Sequence, residues 1–127
     1  MARYIQTDHA PQAIGCYSPA VVSDGPFVFI SGQIALTPSG AFVEDHSIEA
    51  QVRQVFDNLT VLAEAAGVSL ANTIKLTVYL INIDHLAVVN AVMSQYFIAP
   101  YPARAAIGVA ALPKGAAVEM EAVLSQS

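Results

Sequence analysis

Three charged side chains, Arg104, Glu119 and Glu121, stand in an otherwise small and apolar stretch, PARAAIGVAALPKGAAVEME at residues 102–121. An isolated ion in apolar surroundings is costly, so these groups are either paired with one another or kept for a ligand. The planar guanidinium of arginine grips a carboxylate through two parallel hydrogen bonds. A second carboxylate, which one arginine cannot satisfy, is free to orient or deprotonate water. If residues 104–109 and 117–122 are strands, Arg104, Ala106 and Gly108 share one face of the first, and Glu119 and Glu121 share one face of the second. The opposite faces carry Ala105, Ile107 and Val109, then Val118, Met120 and Ala122, the set a half-buried sheet turns inward. Ala106 and Gly108 leave open space beside Arg104. The pattern admits both a ligand site and an Arg104 ion pair to Glu119 or Glu121 that only ties two strands.

Other side chains add less on their own. Tyr17, beside Ser18-Pro19, reads as a core tyrosine with its hydroxyl at a wet margin. Asn90 is a polar amide on an apolar stripe, and Ser31-Gly32 is a place where glycine permits a bulge or a close backbone approach. His9, His46 and His85 fall in unrelated segments and Cys16 has no companion at ligand spacing, so no metal site is expected. Cys16 reads as a small buried hydrophobe. Gly32 has no lysine after it, so no phosphate loop is expected.

The elements that must hold these groups follow from periodicity. Residues 3–13 have the flavour of an edge strand followed by a turn at Pro11. Residues 17–22 and 27–31 read as strands on either side of the turn Ser23-Asp24-Gly25-Pro26. A long helix is expected over 48–66, with Ile48, Val52, Val55, Phe56, Leu59, Leu62, Ala63 and Ala66 on one stripe, Ser47 capping its start and Gly67 its end. Glu49 and Arg53 should pair on its solvent side. Residues 73–81 alternate as a strand, Ile74, Leu76, Val78 and Leu80 toward the helices, and the wetter opposite face groups with Arg104 and Glu119. A second helix over 85–97, capped by Asp84, stops before Pro100 and aligns Leu86, Asn90, Met93 and Phe97. The order predicts one α+β domain over 1–127: a single mixed β-sheet with both helices on one face.

The sheet's other face then lacks a cover. Only 12% of the 127 residues are charged against 55% hydrophobic, too few charges to clothe a monomer, which points to burial against other copies. A formal charge of -5 without any basic cluster argues against nucleic-acid binding. No apolar run approaches the ~18 residues of a membrane span, the N-terminus lacks signal-peptide character, and the single cysteine fits a reducing compartment, so a cytoplasmic protein is expected.

The combination Ala10-Pro11-Gln12-Ala13-Ile14-Gly15-Cys16-Tyr17-Ser18, Ser31-Gly32-Gln33-Ile34, Val89-Asn90-Ala91, Pro102-Ala103-Arg104, Leu112-Pro113 and Val118-Glu119-Met120-Glu121 resembles the RidA family, also called YjgF or UK114-like, along nearly the whole chain. The resemblance implies a chorismate-mutase-like fold and a homotrimer with its sheets facing inward and an active site at each subunit interface. It implies hydrolysis of reactive 2-imino and 2-enamino acids, such as 2-aminoacrylate and 2-aminocrotonate, to 2-oxo acids and ammonia, with no cofactor. Carried onto this sequence, Arg104 would clamp the substrate carboxylate and Glu119 would hold the attacking water. Backbone at Ser31, Gly32 and Ala106 would meet the substrate, Asn90 would line or support the site, and Tyr17 would close it from the neighbouring subunit. Glu121 would be structural. Many members carry cysteine where this chain has Ala106, and the segment 98–101 is short for the family. An alternative of another class is a non-catalytic trimeric protein that binds small carboxylates through Arg104. Ribonuclease activity, reported for some relatives, is disfavoured by the acidic charge.

Overall fold

The computed structural model describes residues 2–126. Six strands and two α-helices follow in the order β1 (Arg3–Ile5), β2 (Ala20–Val22), β3 (Phe27–Gln33), α1 (Ile48–Ala65), β4 (Thr73–Leu80), α2 (Leu86–Tyr96), β5 (Ala103–Gly108) and β6 (Val118–Ser125). Four strands form a mixed sheet in the order β3-β6-β4-β5, while β1 and β2 make a separate antiparallel ribbon. The strands flanking the turn at 23–26 therefore belong to different sheets: β2 pairs with β1, and β3 with β6. The α+β class with two helices on one face stands as expected, but its β-structure is divided rather than a single sheet.

Helix α1 forms where its apolar stripe and its caps agree. Ser47 Oγ accepts from the Ala50 amide at 3.2 Å at its start. At its end Gly67, at φ 83°, lets its own amide reach Glu64 O and the Val68 amide reach Ala63 O, a turn that satisfies the orphan carbonyls. Arg53 Nε meets Glu49 Oε2 at 3.2 Å as expected. Helix α2 starts later than the sequence suggested, after a 3₁₀ turn at Ile83–His85. Asn82 caps that turn, its Oδ1 accepting from the Asp84 amide at 3.0 Å, and α2 itself begins after His85 with no side-chain cap, so Asp84 is not the capping residue.

Val52, Val55, Phe56, Leu59, Leu76, Val78, Leu80, Val89, Met93, Val118, Met120 and Leu124 make one core between the helices and the sheet. Along β6 the residues Val118, Met120, Ala122 and Leu124 are buried in strict alternation. On β4 the alternation begins one step in, because a register shift between Thr73 and Lys75 turns Thr73 inward and leaves Ile74 half-buried. Among the described residues no helix covers the other face of the sheet, where Phe29 is 75% and Ile107 45% exposed, an unpartnered apolar surface. No helix among the described residues is long and apolar enough to cross a membrane.

Candidate active site

Register decides which way each candidate side chain points. On β5, Arg104 pairs with Leu76, Ala106 with Val78 and Gly108 with Leu80. Those β4 partners are buried beneath the helices, so Arg104, Ala106 and Gly108 face the helices, and Ala105 and Ile107 join Thr77 and Tyr79 on the open face. The expectation that Ile107 turns inward and that Arg104 shares the wetter face with Glu119 is thus reversed. On β6, Glu119 pairs with Tyr79 and Glu121 with Thr77, placing both carboxylates on the open face.

Arg104 and Glu119 therefore lie on opposite sides of the sheet, with β4 between their strands. Tyr79 stands opposite both Glu119 and Ile107, and Arg104 is three residues before Ile107. With ~3.3 Å per residue along a strand and ~4.8 Å between strands, the two Cα atoms are about 14 Å apart and their side chains diverge. The strand-tying ion pair does not form. Among the described residues no carboxylate lies within ion-pair distance of Arg104.

Arg104 sits instead in a half-buried niche. Its Nη1 donates to Asn90 Oδ1 at 2.6 Å and lies 3.6 Å from Met93 Sδ, both on α2. Its Cζ stands 5.4 Å from the centre of the Tyr17 ring, a cation–π distance. Burial pushes the guanidinium below its ordinary value, and the neighbouring Cys16 and Tyr17 push back. A cavity of about 270 Å³ opens beside it, walled by Ile14, Gly15, Tyr17, Leu86, Asn90 and Ala106. Ala106 is what leaves this space, since a larger side chain there would project into it.

Tyr17 is carried to Arg104 by the segment that precedes β2. Ser18 runs alongside β5, its amide donating to Pro102 O at 2.9 Å and its hydroxyl to Tyr101 O. The Tyr17 hydroxyl accepts from the Ile14 amide at 3.2 Å, which curls the loop over the guanidinium. The Tyr17 at this Arg104 therefore belongs to the same chain, contrary to the expectation that it arrives from a neighbour. Asn90 holds Arg104 directly, while Cys16 Sγ, 3.7 Å from Asn90 O, packs behind that contact. Ile14, in the run 10–18, and Leu86, on the stripe with Asn90, were not singled out as site residues in the sequence, and the fold brings them to the cavity.

The second group of candidates lies across the molecule. Between Ile30 and Gln33, β3 carries one more residue than β6 and bulges. The Glu119 side chain leans from β6 onto this bulge: a Cβ added to Gly32 would collide with its carboxylate and come within 3.0 Å of Cδ. Gly32 is therefore the seat of Glu119. Glu121 turns the other way, toward β4, where its Oε1 accepts the Tyr79 hydroxyl at 2.5 Å. That hydrogen bond is the main cause of a phenol held above its ordinary value. The structure thus brings Arg104, Tyr17, Asn90 and Ala106 together in one cluster, and Ser31, Gly32 and Glu119 in another.

A sequence model of the endoribonuclease L-PSP family matches residues 7–126. The human 2-iminobutanoate/2-iminopropanoate deaminase is 43% identical over 124 residues, spanning 98% of this chain and 90% of that protein. A RutC family protein of Sinorhizobium fredii is 44% identical over 126 residues, 98% of each chain. Among solved structures, RidA from an Antarctic Psychrobacter shares 46% identity with a TM-score of 0.75, covering 97% of this chain and 98% of that one. A Rid-family protein of unknown function from Yersinia pestis, YyfB, is 28% identical with a TM-score of 0.90, covering 98% of both chains.

Proposed function

This chain belongs to the endoribonuclease L-PSP family, the RidA/YjgF group, and from that premise we propose that it is a deaminase of reactive 2-imino and 2-enamino acids. One observation carries the reading: a half-buried guanidinium with no carboxylate partner among the described residues, facing a cavity large enough for a small ligand. An anion would complete such a cation, and the fork of Arg104 fits the carboxylate of a small acid. Proteins of 40 to 43% identity named 2-iminobutanoate/2-iminopropanoate deaminase supply the reaction class.

In this reading Arg104, braced by Asn90 and flanked by Tyr17, fixes the substrate's carboxylate, and the space left by Ala106 admits the reacting carbon. Glu119 holds a water molecule that attacks the imine carbon and takes a proton from it. Glu119 passes that proton to the imine nitrogen, giving the carbinolamine, then moves the carbinolamine hydroxyl proton to the amine, so that the C–N bond breaks, ammonia leaves and the 2-oxo acid remains; a 2-enamino acid enters as its imine tautomer. An imine is already electrophilic, so orientation and one positioned water are sufficient apparatus. Arg104 and Glu119 diverge within a chain, so the productive site joins the Arg104 niche of one copy to the Ser31-Gly32-Glu119 bulge of another. Covering the open sheet face in a homotrimer provides that junction.

The test is to generate 2-aminoacrylate with a serine dehydratase and follow pyruvate. Wild type should accelerate its appearance, while Arg104→Ala and Glu119→Gln should lose at least tenfold, the scale of one charge-assisted contact or one proton-transfer group. Wild-type protein that leaves the rate unchanged overturns the reading. A second reading, a carboxylate-binding protein without turnover, draws on the fact that the Arg104 niche is built within one chain. It predicts that Glu119→Gln binds small 2-oxo acids as wild type does and that neither form turns over an imine.

A further inference from the structure

The two carboxylates of β6 share a face yet are turned apart. Glu119 leans across β6 onto the Gly32 bulge of β3, and Glu121 leans toward β4. Tyr79 stands between their fates. Its direct cross-strand partner is Glu119, while Glu121 is paired with Thr77 and is only the diagonal neighbour. Directly paired Cβ atoms are about 5 Å apart and diagonal ones farther, so by position alone the phenol would serve Glu119 first. It donates instead to Glu121, at 2.5 Å. Glu119 takes no side-chain hydrogen bond from any described residue.

That arrangement matters for a group that must bind water. A phenol donating to Glu119 would occupy one of its lone pairs and disperse the charge that should receive a proton from water. We propose that Glu121 is a positioning residue that holds the Tyr79 hydroxyl away from Glu119, leaving the Glu119 carboxylate free to hold the reacting water. This rests on the reading that Glu119 serves that water. The remaining charged group on the open face of these strands is Lys75, four residues from Tyr79 and paired with Val123. β3 and β5 contribute Phe27, Phe29, Ser31, Ala103, Ala105 and Ile107 there, none of them titratable near neutrality.

Four variants test it in the imine hydrolysis assay. Glu121→Ala releases Tyr79 toward Glu119 and should lower kcat roughly three- to tenfold, the share of a single proton-accepting group partly engaged elsewhere, with KM nearly unchanged. Glu121→Gln, whose amide oxygen still accepts the phenol, should retain most of the activity. Tyr79→Phe should stay close to wild type, and Tyr79→Phe with Glu121→Ala should recover what Glu121→Ala lost. The recovery is the decisive readout, because a merely structural role for Glu121 predicts that the double variant is no better than the single. A double variant as slow as Glu121→Ala, or a Tyr79→Phe variant equally slow, overturns the proposal. An alkaline difference titration of wild type against Tyr79→Phe isolates the Tyr79 phenol, and the same subtraction in the Glu121→Ala background reports its new partner even if turnover is lost. Because Glu119 then takes the place of Glu121 as acceptor, the Tyr79 phenol should stay raised there, and a phenol that falls back to its ordinary value overturns the proposal. If Glu119→Gln is fully active the underlying mechanism is wrong; if it is inactive while the double variant fails to recover, only this inference falls.

Discussion

At the scale of single residues, the arrangement turns on what is missing at two positions. Gly32 has no side chain, and any Cβ there would drive Glu119 off the bulge. Gly32→Ala is therefore expected to fold, since the bulge is exposed, but to lose imine hydrolysis about as severely as Glu119→Gln; near-normal turnover would show that Glu119 need not rest there. Ala106 is the other, opening the cavity beside Arg104. Both small residues were visible in the sequence as gaps. What the sequence could not say was which side of the sheet Arg104 occupied. Alternation puts Arg104 with Ala106 and Gly108, and it looked reasonable to turn the greasier set, Ala105 and Ile107, toward the core. The structure does the opposite: on this part of the helix side an arginine held by Asn90 and Met93 takes the place of apolar packing. Ile107 is left outside, 45% exposed, on the open face of the sheet.

At the scale of elements, the fold was legible wherever pattern and punctuation agreed. Helix α1 lies within one residue of its expected span because its stripe, Ser47 and Gly67 all point to the same boundaries. Strand pairing was less legible: β5 and β6 are consecutive but not adjacent, and β4 enters between them by a parallel pairing that depends on α2 as the crossover. Helix α2 is moored to α1 by Tyr96, whose hydroxyl donates to Asp57 Oδ1 at 2.7 Å and whose ring stacks on Phe56 at 5.2 Å. Burial, and then that hydrogen bond, raise the Tyr96 phenol above its ordinary value of 10. A group raised in the folded state lends stability that is complete below its unfolded value and lost as pH rises through the folded one. Tyr96→Phe keeps the stacking and should cost about 0.5–1 kcal/mol at pH 7. Thermal melts of the pair should converge as pH climbs past 10, and a constant gap would assign the loss to packing.

At the scale of the whole molecule, the exposed Phe29 and Ile107 and the proposed composite site lead to the same expectation of further copies. Sedimentation should find a trimer, and Phe29→Asp should weaken it while leaving the helical spectrum intact; a wild-type monomer would remove the composite site. Mixing supplies a sharper test. Arg104→Ala retains a sound Glu119, and Glu119→Gln a sound Arg104, so subunits exchanged at equal amounts should regain about a quarter of wild-type activity, the chance that a given junction receives both intact groups. No recovery after verified exchange would place both residues in one chain's site. A sheet that keeps its two functional groups back to back has a further consequence in the rate law. With the proposed composite site an isolated chain would hold only half of the apparatus, so specific activity should fall on dilution toward the assembly's dissociation threshold, and turnover should begin only when enough copies have accumulated to find one another.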